Sequence, residues 1–294
     1  MYVDDRSSFT IKNSSANYFY PDEDLREGLE ELILFPEAQP NHKVPTGSVW
    51  KYKGNTAYNP DMLKSDVGCG ITGYLIEDYG EPERFGKELL DYLHKEDISI
   101  GRGNHFLDFC QKCKSQPKNQ KTVFLHSDFN PQGTLPKTFK QAQQRQKEAS
   151  KQRQEYLEDL LTDLGISHEY MRDWPHNTVE NGENVVYRKG SINTEEGIGI
   201  MATNPFHGLF LYAGSFDDYE NSMQHSTGIK RDSRVDMDKY LLGQKDKKRV
   251  FLTKNKEPEN IFEEYNPINE FAEIFSLEYS PIDALHTEIV VKTD

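Results

Sequence analysis

The chain has 294 residues, 29% of them charged and 35% hydrophobic, long enough to bury a substantial core in one large domain or two smaller ones. A net charge of −14 excludes a protein coated in positive charge for gripping duplex DNA, yet it leaves room for a local basic groove for RNA and suits a site that holds cations. Three cysteines exclude a disulfide framework and point to a reducing compartment, and no apolar run reaches membrane-spanning length.

Residues 1–22 are polar, predict an extended arm or edge segment, and lack the basic and apolar regions of a secretory leader. The expectation is therefore a soluble, cytoplasmic protein with no membrane partner. Leu25, Leu29, Leu32 and Leu34 predict an amphipathic helix over 23–35. The Pro- and Gly-rich run 36–50 reads as a loop ending in a strand, and 71–76 (ITGYLI) as a buried strand. Phe85, Leu89, Tyr92 and Leu93 predict a helix over 83–95. The segment 99–109 reads as loop-rich, and 122–126 (TVFLH) as a strand ending in histidine. Residues 137–164 contain no Gly or Pro and predict a long helix. Its first part carries Lys137, Lys140, Arg145, Lys147, Lys151 and Arg153, which suits either a track for RNA phosphates or an ordinary solvated face. Strands follow at 184–188, 197–202, 208–213, 249–253 and 288–292, with helix or loop at 236–248 and helix around a Pro break at 259–275. No repeat or linker divides the chain, so the expected fold is a single α+β domain over 1–294.

The chemistry concentrates at Asp66-Val67-Gly68-Cys69-Gly70. Glycines on either side of a thiol admit φ > 0 and close backbone approach, so a tight turn can aim carboxylate and thiol into one pocket. A divalent ion would take the thiol proton and let the sulfur bridge two ions. A turn with a buried cysteine gives the same pentapeptide, so other donors must decide. Four of the nine histidines stand in unusual settings: His105 in GRGNHF, His126 at a strand end, His176 after Trp174-Pro175, and His225 before Ser226-Thr227-Gly228. Strand ends converge on one rim of a sheet. Asp66, Cys69, His105, His126 and His176 together suit Zn, Mn or Fe, and five ligands exceed one tetrahedral structural zinc. A two-ion site with one bridging ligand uses all five. Cys110 and Cys113 form a CxxC without a second pair, and Trp174 reads as a packing residue.

DVGCG, GRGNHF, the strand ending in His126, the Pro-flanked His176-Asn177, Tyr187-Arg188-Lys189-Gly190-Ser191, the H-x-x-G turn at His225 and a late lysine occur in this order. That order resembles the RtcB family of RNA ligases, in pieces from Pro36 to Lys292, with DVGCG and GNHF the most specific words. The resemblance implies one RtcB-like domain of mixed sheets with outer helices and a central metal-lined cleft. It implies two manganese ions held by Asp66, Cys69, His105, His126 and His176, with His225 as the nucleophile that takes GMP from GTP as a phosphoramidate. It further implies that Asn104 and Asp108 touch the nucleotide, that Ser226, Thr227 and Gly228 meet its phosphates, that Tyr265 stacks on the base and that Lys292 recognises guanine. Lys189, Lys230, Arg231 and Arg234 are candidates for supporting charge. The implied reaction joins a 2′,3′-cyclic phosphate or 3′-phosphate RNA end to a 5′-hydroxyl end, in repair or splicing.

The chain departs from the family pattern at several words. Pro36-Glu37-Ala38-Gln39 stands where the family has P-D-x-H, and Ser127-Asp128-Phe129 replaces a Gly-Ser-Arg word. His225-Ser226-Thr227-Gly228-Ile229-Lys230-Arg231 replaces H-G-A-G-R, and Asp108 replaces a glutamate. Two other functions use the same metal centre: a phosphatase or phosphodiesterase in which water attacks, and a silent binder of RNA ends.

Overall fold

The computed structural model of the chain describes residues 2–6, 8–15, 19–38, 43–96, 100, 105–112, 120–130, 135–203, 208–214, 216–227, 229–234, 250–253, 263–265 and 280–292. Among these the strands are β1 (Tyr2–Arg6), β2 (Phe9–Asn13), β3 (Leu29–Leu34), β4 (Ser48–Lys53), β5 (Gly70–Glu77), β6 (Phe106–Lys112), β7 (Gln120–Ser127), β8 (His168–Pro175) and β9 (Asn177–Asn181). They continue as β10 (Asn184–Lys189), β11 (Ser191–Asn193), β12 (Ile198–Ala202), β13 (Leu209–Ala213), β14 (Ser222–Gln224), β15 (Ile229–Arg234), β16 (Val250–Thr253), β17 (Glu263–Tyr265) and β18 (Ser280–Lys292). Two α-helices are described, α1 (Pro82–Lys95) and α2 (Phe139–Asp163). The fold is mixed α+β and dominated by sheet. No helix among the described residues is long and apolar enough to cross a membrane.

One sheet has six strands in the order β1-β2-β3-β4-β10-β9, with β1, from the polar opening segment, at its edge. A second, eight-stranded sheet runs β12-β13-β18-β6-β7-β5-β8, with β16 pairing in parallel with β18, and two two-stranded sheets, β11-β14 and β15-β17, complete the described strands. Alternation along β7 sorts its side chains: Val123 and Leu125 join the cluster that holds Leu89, Leu93, Leu157 and Leu161 of the two helices, whereas Phe124 packs with Ile71, Trp174 and Ile200. His126 shares parity with Phe124 and so faces away from the helices. The first half of α2 reaches the six-stranded sheet, where Ala142 packs with Leu32, Trp50, Val67 and Tyr187. The helix thus bridges the two large sheets. Thr138 caps it, its Oγ1 accepting from the Gln141 N–H at 3.2 Å. Leu125 is fully buried in the helix-facing cluster. Leu125→Ala is expected to cost about 2–5 kcal/mol, read as a lower urea midpoint at unchanged slope.

Three expected elements differ. The helix over 23–35 is instead a 3-10 turn, Glu23–Leu25, followed by β3. Gly28 sits at φ 73°, outside helical space, and Leu32, Ile33 and Leu34 are all buried because β3 is paired on both sides and covered on both faces. The loop-rich segment 99–109 contains the start of β6, an inner strand between β7 and β18, in which Asp108 interrupts the apolar pattern. Glu263–Tyr265 forms β17 rather than helix, and the remainder of 259–275, like 236–248, lies outside the described residues. Strands β8 (HEYMRDWP) and β9 (NTVEN) are not predicted from sequence because both are too polar to look like strands.

Candidate metal centre

Antiparallel order assembles the site. Strands β7 and β8 both run opposite to β5, and β6 runs opposite to β7. The starts of β5 and β6 and the ends of β7 and β8 therefore share one rim. Cys69 immediately precedes β5, His105 immediately precedes β6, His126 is the penultimate residue of β7, and His176 follows β8. The flanking glycines are required by packing. Gly68 has φ 86°, and a Cβ there would lie 2.8 Å from the Ala149 Cβ on α2. A Cβ on Gly70 would lie 2.8 Å from the Pro175 Cα and 2.7 Å from Arg153 Nη2. The backbone then locks the rim: the His176 N–H donates to the Cys69 carbonyl at 2.9 Å, and the Gly68 N–H to the Asn177 carbonyl at 2.8 Å.

Four donor atoms meet there. Cys69 Sγ lies 3.5 Å from His105 Nε2 and 3.3 Å from His126 Nε2, and His126 Nε2 lies 3.2 Å from His176 Nε2. Ligand atoms of Cys69, His126 and His176 all lie within 4.8 Å of one another, and all three residues are buried. An imidazole nitrogen carries either one hydrogen or one lone pair. His126 Nε2 has two close neighbours, so a single proton position cannot serve both contacts well. A cation would draw on the sulfur and nitrogen lone pairs together, and this donor chemistry fits a divalent metal. Burial pushes the Cys69 thiol pKa up and pulls His176 well below the usual imidazole value, with the neighbouring His225 and His126 adding to the latter. Without a cation, burial thus favours a neutral thiol on Cys69 and a neutral ring on His176.

His225 faces this cluster. Its ring centroid is 4.3 Å from that of His176 and 6.4 Å from that of His126. The backbone on either side is tied down, the Ala202 N–H donating to the His225 carbonyl at 2.8 Å and the His225 N–H to the Gly190 carbonyl at 3.2 Å. The Gly190 carbonyl also lies 2.8 Å from His225 Nδ1, and Glu37 Oε1 lies 3.1 Å from it. Both are acceptors, so Nδ1 carries the hydrogen and the neutral ring keeps its lone pair on Nε2. Burial alone would lower the His225 pKa, but the Glu37 charge, its hydrogen bond and the Gly190 carbonyl outweigh burial, and the net shift is upward from 6.5. The stability this contributes is present at low pH and is lost as pH rises through the raised value. An NMR titration is expected to place the His225 midpoint above 6.5, and Glu37→Gln to move it downward. An unmoved midpoint would remove Glu37 from this role.

The other expected residues are placed as follows. The Asp66 carboxylate accepts from Lys189 Nζ at 2.8 Å and stays outside the group of Cys69, His126 and His176. Lys189 also donates to the Leu63 carbonyl at 3.2 Å. Asp108 is buried on β6, with Thr287 Oγ1 at 3.5 Å. Ser226 donates its hydroxyl to Glu37 Oε2, and Thr227 is buried beside it. Tyr265 pairs with Ile229 across β17 and β15, and Lys292 pairs with Thr253 across β18 and β16. Asn104, Gly228 and Cys113 lie outside the described residues. Lys230 and Arg231 lie on β15, which ends at Arg234. Trp174 packs as expected, buried, with Nε1 donating to the Ile198 carbonyl at 3.2 Å.

One correction concerns the basic run. Lys137, Lys140, Lys147 and Lys151 are exposed, but Arg153 is fully buried and turned toward the rim. Two contributors went unassigned in the sequence: Glu37, visible only as the acid kept in its Pro-Glu word, and Gly190, whose carbonyl role leaves no trace in residue type. No protein-family model and no curated protein sequence matches this chain.

Proposed function

We propose that this chain is an RNA ligase of the RtcB type, using manganese and GTP to join a 2′,3′-cyclic phosphate or 3′-phosphate RNA end to a 5′-hydroxyl end. The observation that carries the reading is convergence: Cys69, His105, His126, His176 and His225 come from five separate words of the resemblance and meet at one buried rim. In this reading the fold is an RtcB-like domain with a metal-lined cleft. Cys69, His105, His126 and His176, together with Asp66, would hold the two ions. Bound there, the ions would supply positive charge against the phosphoryl oxygens of the transition state.

His225 is the nucleophile. Its Nε2 lone pair forms the N–P bond to the α-phosphorus of GTP as the bond to pyrophosphate breaks. Because Nδ1 keeps its hydrogen, the ring becomes cationic on attack, and the adjacent Glu37 carboxylate stabilises that charge. Activation therefore needs the ring neutral, and adduct formation is expected to rise with pH through the His225 midpoint.

The test is an RNA-joining assay with a 2′,3′-cyclic phosphate strand, a 5′-hydroxyl strand, manganese and GTP. Joined product that requires GTP supports the ligase. Release of phosphate or opening of the cyclic end without GTP, with no joining, would replace it by a hydrolase on the same centre. RNA retention with neither product would leave an end-binding protein.

A further inference from the structure

Arg153 is 0% exposed, and its guanidinium lies behind the rim rather than on the face of α2. Nε donates to Asp173 Oδ1 at 2.9 Å and to Thr72 Oγ1 at 3.3 Å, and Nη2 to Asp173 Oδ2 at 2.8 Å. Nη1 donates to the Gly68 carbonyl at 2.5 Å and to the Ser127 carbonyl at 2.9 Å. The Gly68 carbonyl belongs to the peptide that leads into Cys69, Ser127 follows His126, and Asp173 stands three residues before His176. An arginine that merely joined α2 to β8 would be complete with its fork onto Asp173. Here the remaining nitrogen spends both hydrogens on the two turns that carry donors. Ser150, from one turn earlier in α2, donates to Asp173 Oδ2 at 2.6 Å and holds the acid in place.

We infer that Arg153 is a positioning residue for the candidate metal centre, setting the spacing of the Cys69 thiol and the His126 ring through the backbone beside each, and of the His176 ring through the Asp173 carboxylate on the strand that leads into it. The inference rests on the metal reading above. It makes α2 part of the site's frame, although no residue of that helix supplies a ligand. Lysine cannot replace it, since one ammonium cannot form a planar fork on Asp173 and reach two carbonyls as well.

The test is titration of the chelator-treated full chain with cobalt(II), following the thiolate-to-cobalt charge-transfer band and the dissociation constant, with thermal unfolding in chelator as the fold control. Arg153→Lys is expected to remain folded, to bind cobalt about 10–100-fold more weakly, as for other groups that orient ligands from behind, and to show an altered band. A folded variant with wild-type affinity and band overturns the inference. If Arg153→Lys does not fold, Asp173→Asn takes its place under the same criteria, since it frees the guanidinium to leave the carbonyls. Failure of both to fold assigns the network to the fold alone and also overturns it. A wild-type chain whose band is missing, or persists in Cys69→Ala, removes the metal reading itself, and that result is seen without any Arg153 variant.

Discussion

Replacing His225 is expected to abolish transfer of label from α-labelled GTP to the chain. Wild type with manganese should carry a radioactive band through a denaturing gel, stable to alkali and lost in acid, as a phosphoramidate behaves. Removing a covalent nucleophile costs on the order of 10⁶-fold in rate, so the band in His225→Ala should vanish. Alanine leaves the buried Glu37 carboxylate with Ser226 but without the imidazole. Loss of that partner is expected to lower stability by about 1–3 kcal/mol. His225→Gln can keep an N–H near Glu37 and is the cleaner variant: folded, still able to bind metal, and unlabelled. Label that survives in either variant would place the adduct elsewhere and end the nucleophile assignment.

The second large effect is expected at Cys69. In the metal-free chain burial holds this thiol neutral, so Cys69→Ala should change the apo unfolding temperature little. Binding of a cation to the native state stabilises it by about 2.7 kcal/mol at 100 times the dissociation constant. For 294 residues at about 2.1 cal/mol/K of unfolding entropy each, 1 kcal/mol raises the unfolding temperature by about 1.6 °C, so manganese should raise the wild-type transition by about 4 °C. Cys69→Ala should lose that rise, because the sulfur is the atom within 3.5 Å of both His105 and His126. An equal rise in both proteins would mean that manganese binds elsewhere.

Much of the rim was legible because its donors fall in words where residue type and glycine placement carry the chemistry. Gly68 and Gly70 were readable as markers of close approach, and the packing of Ala149, Pro175 and Arg153 against them gives the reason. The termination of 122–126 in His126 was readable because an apolar run ending in a polar residue marks a strand end. What escaped reading depends on tertiary partners. Leu25, Leu29, Leu32 and Leu34 fit a helical stripe, but β3 lies between two strands, and pairing overrode periodicity. Arg153 sat in a run of surface cations and gave no sign of its burial, since a buried arginine is recognisable only from the carboxylate and carbonyls that satisfy it. Lys189, a candidate for supporting charge, also engages Asp66, a pairing that sequence could not show because the two residues are more than a hundred positions apart.

The most direct measurement is anomalous diffraction at the manganese edge from crystals of the full chain grown with manganese. The expected result is a peak enclosed by Cys69 Sγ, His126 Nε2 and His176 Nε2, with a second toward His105 and Asp66. Manganese found only at other positions, with the thiol and the three rings still in contact with one another, would contradict it.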